Sequence, residues 1–174
     1  MTRPFVYYLG LGSNLQPALH FSTALDKLQA QFGTLLVWPA ITTPPVAINT
    51  PHAFVNTLVV LHSDWSPTQL KCWTNALEER CGRDRSDPQR AHKDRPLDID
   101  ILAQQSQLDL QILDQFSEPY IRAVIAAGDA QPLSQRPTTI DTQYTAGHIM
   151  VVEDRENSLL QRHKPTLYGE QCLG

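Results

Sequence analysis

The sequence predicts an α+β fold: a ferredoxin-like β-α-β-β-α-β sandwich, with an antiparallel-type sheet and helices packed on one face of it. Strand-like and helix-like segments alternate in that order between residues 5 and 103. Each helical segment carries a single apolar stripe. The chain has no internal repeat, and at 174 residues, 41% hydrophobic and 18% charged, it fits one globular domain of ordinary size.

Residues 5–14, FVYYLGLGSN, combine aromatic and branched side chains with a Gly-Ser-Asn turn and read as a central strand. Gly10 and Gly12 are expected at a tight turn that ends it. In PALHFSTALDKLQAQFG, Phe21, Leu25, Leu28 and Phe32 recur at i, i+4, i+7 and i+11, an amphipathic helix that Gly33 stops. Residues 34–46, TLLVWPAITTPPV, read as a second strand, irregular at Pro39, running into a proline-containing loop. In 53–64, AFVNTLVVLHSD, the two-residue period puts Phe54, Asn56, Leu58 and Val60 on one face. An aromatic and an amide therefore share a side.

The next segment opens with Ser66, Pro67 and Gln69 at N-cap, N1 and N3, a capping box, and continues with Leu70, Trp73, Leu77 and Cys81 at helical spacing up to Gly82. A basic loop, 83–96, precedes a strand at 97–103, and EPYIRAVIAAG forms a short helix ending at Gly128. Further on, HIMVVED (148–154) is strand-like. Residues 134–174 are expected to be a divergent extension packed on the domain formed by residues 1–133.

Fourteen basic and eighteen acidic side chains give a formal net charge of −4, which argues against bulk nucleic-acid binding. No apolar run reaches the ~20 residues of a membrane helix, and the N-terminal stretch lacks the segments of a signal peptide. A cytoplasmic monomer with no nucleic-acid or membrane partner is expected. The three cysteines, without a neighbouring His at ligand spacing, are expected to be reduced thiols and not a zinc site. His20, His52, His62, His148 and His163 share no spacing and receive no chemical role.

The stretch RPLDIDIL (95–102) places two carboxylates in a buried-looking strand. Residues i and i+2 project to one face about 6.5–7 Å apart at Cα, so Asp98 and Asp100 point together while Leu97, Ile99 and Ile101 line the other face. Carboxylates this close must face solvent, pair with cations such as Arg83 or Arg95, or hold metal. Hard oxygen donors suit Mg²⁺, with substrate phosphates completing its shell, and two carboxylates can bridge a pair of such ions for an in-line phosphoryl displacement.

Next door, Arg80, Arg83, Arg85, Arg90, Lys93 and Arg95 put six of the fourteen cations within sixteen residues. A solvated loop is the bland reading of such a run; beside two carboxylates, guanidinium forks that match phosphate oxygens give it a purpose. The P-loop pattern GxxxxGK followed by Ser or Thr is absent, and GLGSNL lacks the third glycine of a dinucleotide fingerprint because Leu15 stands there.

Taken together, GLGSNL, TTPPV (42–46), FVN (54–56), LEERCGRDR (77–85) and RPLDIDIL resemble the 6-hydroxymethyl-7,8-dihydropterin pyrophosphokinase family in order and spacing, over roughly residues 5–133. The resemblance implies a ferredoxin-like fold and transfer of the β,γ-pyrophosphoryl group of ATP to the hydroxymethyl oxygen of a reduced pterin in folate biosynthesis. AMP leaves, and two Mg²⁺ ions are required. The resemblance implies metal-binding roles for Asp98 and Asp100 and phosphate-reaching roles for Arg83 and Arg95, on a loop that closes as a lid. It groups Asn75, Glu78, Arg85, Ile101, Ser117 and Tyr120 with ATP, and Thr43, Pro44, Pro45, Val46, Phe54 and Asn56 with the pterin.

Departures from the family pattern cluster. Lys93 and Asp94 stand where Gly-Pro usually precedes the arginine, Pro96 replaces a small hydroxyl residue, and His92 replaces a large aromatic. Tyr120 takes the place of a histidine, and Ala126, Ala127 and Gly128 that of a segment carrying a second stacking aromatic. Two alternatives stay open: a relative that acts on or binds a different reduced pterin, and a non-catalytic nucleotide-binding module of the same fold.

Overall fold

Ten short elements follow one another in the computed structural model, which describes residues 4–43, 50–90, 93–129 and 150–152. They are β1 (Phe5–Ser13), α1 (Pro17–Phe32), β2 (Leu35–Val37), β3 (Ile41–Thr43), β4 (Phe54–Ser63), α2 (Pro67–Arg80), β5 (Asp98–Gln105), a 3-10 helix (Leu110–Gln115), α3 (Pro119–Asp129) and β6 (Met150–Val152). The strands pair antiparallel in the order β5-β1-β4-β2-β6, with β3 also against β4. Within that order β5-β1-β4-β2 is the sheet of the β-α-β-β-α-β unit, and β6 extends its edge.

The expected second strand is split, because Pro39 has no N–H to give a ladder. Trp38 bridges the break: its N–H donates to the Leu58 carbonyl at 2.9 Å, and its own carbonyl accepts from the Thr57 hydroxyl at 2.7 Å. Ser66 and Gln69 form the capping box that opens α2, and Gly33 ends α1 at a positive φ of 81° that suits glycine.

β1 is buried on both faces. Tyr7, Leu9 and Leu11 join the stripes of α1 (Phe21, Leu25, Leu28) and α2 (Leu70, Trp73, Leu77) in one core. Val6 and Tyr8 join Leu58 and Val60 in a second core under α3, which contributes Ile121, Val124 and Ile125. Helices therefore cover both faces of the sheet, and not one alone. The physical reason is legible in FVYYL, which has no polar alternation and leaves no face for water.

Cys72 is disulfide-bonded, which corrects the expectation of three reduced thiols, and Cys81 is a half-buried free thiol. Nine residues of helical rise, about 13 Å, keep these two from bonding each other.

Candidate active site

Three adjacent strands lay the site across the sheet. Asn56 of β4 is in register with Gly12 of β1, and Gly12 with Asp98 of β5; the next row is Leu58, Gly10 and Asp100. Adjacent strands lie about 4.8 Å apart, so an amide and a carboxylate stand about 10 Å apart at Cα with a glycine between them.

Gly10 and Gly12 are thus inside β1, not at a turn that ends it. Their missing side chains open the floor. A Cβ on Gly12 would lie 2.9 Å from Asn56 Oδ1, and one on Gly10 would lie 3.2 Å from Ile121 Cδ1. Glycines two apart in a strand bare a single face, a signal available in the sequence.

Above this floor is a cleft of about 620 Å³, its open mouth included, lined by Gly10, Leu11, Gly12, Thr43, Phe54, Asn56, Arg95, Asp98, Asp100 and Tyr120. A concave, partly apolar cleft with a few convergent polar groups suits a small molecule. On one side Asn56 Nδ2 donates to Thr43 Oγ1 at 2.6 Å, both residues being buried, and Phe54 stands beside them half-buried. That bond fixes the amide. Its oxygen is held over Gly12.

The other side is charged. Asp98 accepts from Arg83 Nη1 at 2.5 Å and from Arg95 Nη1 at 2.7 Å. Burial pushes its carboxyl up, but Arg95 and then Arg83 outweigh this and hold it below the ordinary value. Asp100 is shifted the opposite way: burial and the Asp98 charge raise it, against the pull of Lys71. The Lys71 ammonium lies 3.9 Å from Asp100 and donates to the Ile99 carbonyl at 2.8 Å. Burial first, then Asp100, pushes the Tyr120 phenol up to about 12, so it is a hydrogen-bond donor throughout the neutral range.

Glu78 lies behind the cleft, fully buried. It accepts from the Ile99 N–H at 2.6 Å, pairs with Arg85, and has Arg83 at 3.4 Å. Arg85 in turn donates to Asn75 Oδ1 at 2.7 Å. Neither Asn75 nor Arg85 lines the cleft; they hold the base of the basic loop against α2. Ser117 is exposed in the turn before α3, and Pro44, Pro45, Val46 and His92 lie outside the described residues. Leu11, Lys71 and the two glycines are additions that motif reading did not single out for the site.

Among the described residues no group of three or more His, Cys, Asp or Glu could hold a metal alone. Asp98 and Asp100 offer two hard carboxylates on one cleft wall, a donor set that fits Mg²⁺ when a bound polyphosphate completes the shell.

Every cleft residue falls within residues 8–124, the stretch matched by the sequence model of the 7,8-dihydro-6-hydroxymethylpterin-pyrophosphokinase family. The chain belongs to this family. Two proteins named 2-amino-4-hydroxy-6-hydroxymethyldihydropteridine pyrophosphokinase, from two strains of Porphyromonas gingivalis, are each 38% identical over 99 residues, 56% of this chain and 67% of theirs. Pyrophosphokinases of this family transfer pyrophosphate from ATP to hydroxymethyldihydropterin in folate biosynthesis, and membership makes the chain an ATP-dependent transferase acting on small molecules.

Proposed function

We propose that the row Asn56–Gly12–Asp98 is the substrate track of a pterin pyrophosphokinase, with the pterin ring at its Asn56 end and the phosphates of ATP at its Asp98 end. The observation that carries this reading is the register, which sets a fixed amide and a carboxylate pair about 10 Å apart across a bare floor. A fused bicyclic ring bearing a hydroxymethyl arm spans that interval.

Asn56 presents an acceptor and a donor, complementary to the mixed edge of a pterin, and Thr43 holds it in place. Phe54 stacks on the ring. Pro44, Pro45 and Val46 complete the pterin wall, by family resemblance. On the other side Arg83 and Arg95, which pair with Asp98, would turn to the phosphates of bound ATP and leave Asp98, with Asp100, free to hold two Mg²⁺ ions. Metal held there would supply neutralisation of charge on the polyphosphate, as in phosphoryl transfer generally.

Asp98 and Asp100 would hold the ions, while Arg83 and Arg95 draw charge off the transferred group and the closed loop excludes water. The hydroxymethyl oxygen, its ring held by Asn56 and Phe54, forms a bond to the β-phosphorus of ATP as the bond from that phosphorus to the α-phosphate oxygen breaks, AMP leaving and the hydroxyl proton passing to water. The Ile99 N–H and C=O face the outer edge of β5, where Glu78 and Lys71 meet them. By the two-residue period the same groups of Ile101 face that edge too, a donor and acceptor suited to a nucleotide base. Asn75, Arg85, Ser117 and Tyr120 flank this ATP side in the proposal, and Glu78 supports it from beneath.

The same reading has the chain working as a monomer in the cytoplasm, without nucleic acid, and treats residues 134–174 as an extension of the one domain. The modest negative charge supports the absence of a nucleic-acid partner, and no helix among the described residues is long and apolar enough to cross a membrane.

The test is AMP formation from ATP and Mg²⁺, with and without 6-hydroxymethyl-7,8-dihydropterin. Pterin-dependent AMP release that disappears in Asp98→Asn and Asp100→Asn is expected. ATP binding without turnover, or turnover only with a pterin of longer side chain, overturns the substrate assignment.

A further inference from the structure

Asp94, one of the departures from the family pattern, sits at the centre of a hydrogen-bonded chain that joins three separate segments. His52 Nδ1 lies 2.8 Å from Asp94 Oδ2. Asp94 Oδ1 accepts from Asn14 Nδ2 at 2.7 Å. Asn14 then grips the main chain of the next residue twice: its Oδ1 accepts from the Arg95 N–H at 2.6 Å, and its own N–H donates to the Arg95 carbonyl at 3.0 Å. The Arg95 guanidinium, at the far end, holds Asp98.

Each link comes from a different part of the site. Asn14 follows directly on β1, the strand that carries the glycine floor. His52 lies two residues before Phe54 and is braced by its own N–H donating to Thr50 Oγ1 at 3.2 Å. Asp94 and Arg95 end the basic loop just ahead of β5. The buried amide Asn14, 5% exposed, cannot hold Arg95 unless its own Nδ2 is satisfied and its rotamer fixed, and Asp94 does both. The Thr50 hydroxyl and His52 in turn hold Asp94.

We propose that Asp94 and His52 are positioning residues: through Asn14 they set the main chain of Arg95 so that its guanidinium is delivered to the cleft. The inference rests on the reading of Arg95 as a phosphate-contacting group. Because the effect acts through Arg95, it belongs to the chemical step and not to recognition of the pterin. The two residues work as one chain centred on Asp94, so Asp94→Ala releases the whole latch and His52→Ala, which leaves the Thr50 hydroxyl on Asp94, releases part of it.

The experiment compares wild type with Asp94→Ala, Asp94→Asn, His52→Ala and the double Asp94→Ala/His52→Ala variant. It measures steady-state AMP release at saturating ATP and Mg²⁺ and, by hydrogen exchange, the protection of the Arg95 amide. Loss of one such link is expected to lower kcat about five- to tenfold and to speed exchange at Arg95 by a similar factor, with the KM for the pterin within about twofold. The double variant is expected to match Asp94→Ala, since the effects are not additive within one chain. Asp94→Asn, which keeps the shape, is expected to fall between.

An unchanged Arg95 amide overturns the latch. So does faster exchange with unchanged kcat, additive losses in the double variant, or a loss confined to the KM for the pterin. A wild-type protein with no pterin-dependent turnover overturns the underlying functional reading instead, and is distinguishable because it appears before any variant is made.

Discussion

The two sides of the cleft are built by opposite strategies. The Asn56 side is finished before any ligand arrives: its amide is buried, bonded to Thr43 and set over a glycine on the middle strand of three. The Asp98 side is provisional. Its carboxylates and guanidinium groups satisfy one another, with Asp98 taking both Arg83 and Arg95; in the proposed track they exchange those partners for ions and phosphates. A neutral ring edge can be matched by a rigid site, whereas a tetraanion needs counter-charges that would repel one another if fixed in place while empty. The sheet supplies the first kind of site and a loop the second.

The largest effect expected from breaking the comparison is on the provisional side. Asp98→Asn and Asp100→Asn are each expected to reduce kcat for AMP release by roughly 10²–10³-fold, the scale on which a single electrostatic stabiliser acts. The KM for the pterin should move far less, because neither residue faces the ring in the proposed track. Steady-state kinetics with each substrate varied in turn checks this.

Next in size is Glu78, which lies behind that side. Removing one partner of a buried ionic group leaves its cations uncompensated, so Glu78→Ala is expected to cost about 3 kcal/mol in stability. Equilibrium denaturation measures it. Part of the loss is the bond to the Ile99 N–H, which pins α2 to β5.

On the finished side, Gly12→Ala sharpens the comparison without touching a charge. The added methyl would lie 2.9 Å from Asn56 Oδ1, and Thr43 holds that amide in place, so the amide must leave its position. Pterin affinity should fall by roughly ten- to a hundredfold, the consequence of one or two mispaired hydrogen bonds, with ATP affinity unchanged. Calorimetric titration of each ligand separates the two.

How far the site was legible in the sequence follows the same division. The period of two aligned Phe54 with Asn56 and Asp98 with Asp100, because alternation in a strand is a local property. It could not show that Asn56 and Asp98 share a row, since register between strands 42 residues apart depends on the folded sheet. Turn chemistry is the commoner use of glycines such as Gly10 and Gly12, so a central strand is legible in the sequence while its continuation through both glycines is not. His52 and Asp94 carried no spacing signal at all. Their bond joins segments that only tertiary structure brings together, just as only the folded sheet shows α3 on the face opposite α1 and α2.

The smallest expected effect separates the two carboxylates from each other. Asp98, held below its ordinary value, stabilises the fold while ionised; this contribution is complete above the ordinary value near 3.8 and is lost as pH falls through the depressed one. Asp100 is raised, so its ionised form strains the fold at neutral pH, and that strain disappears as pH falls through its raised value. In the absence of divalent ions and ATP, Asp98→Asn should therefore lower Tm at neutral pH and Asp100→Asn should raise it. Both differences should shrink on acidification, the Asp100 difference at the higher pH of the two. Thermal melts between neutral and acid pH read both signs. Equal shifts in the same direction would mean that Arg83 and Arg95 serve both carboxylates alike, and that the provisional side of the cleft is a shared ionic pool with no division of partners within it.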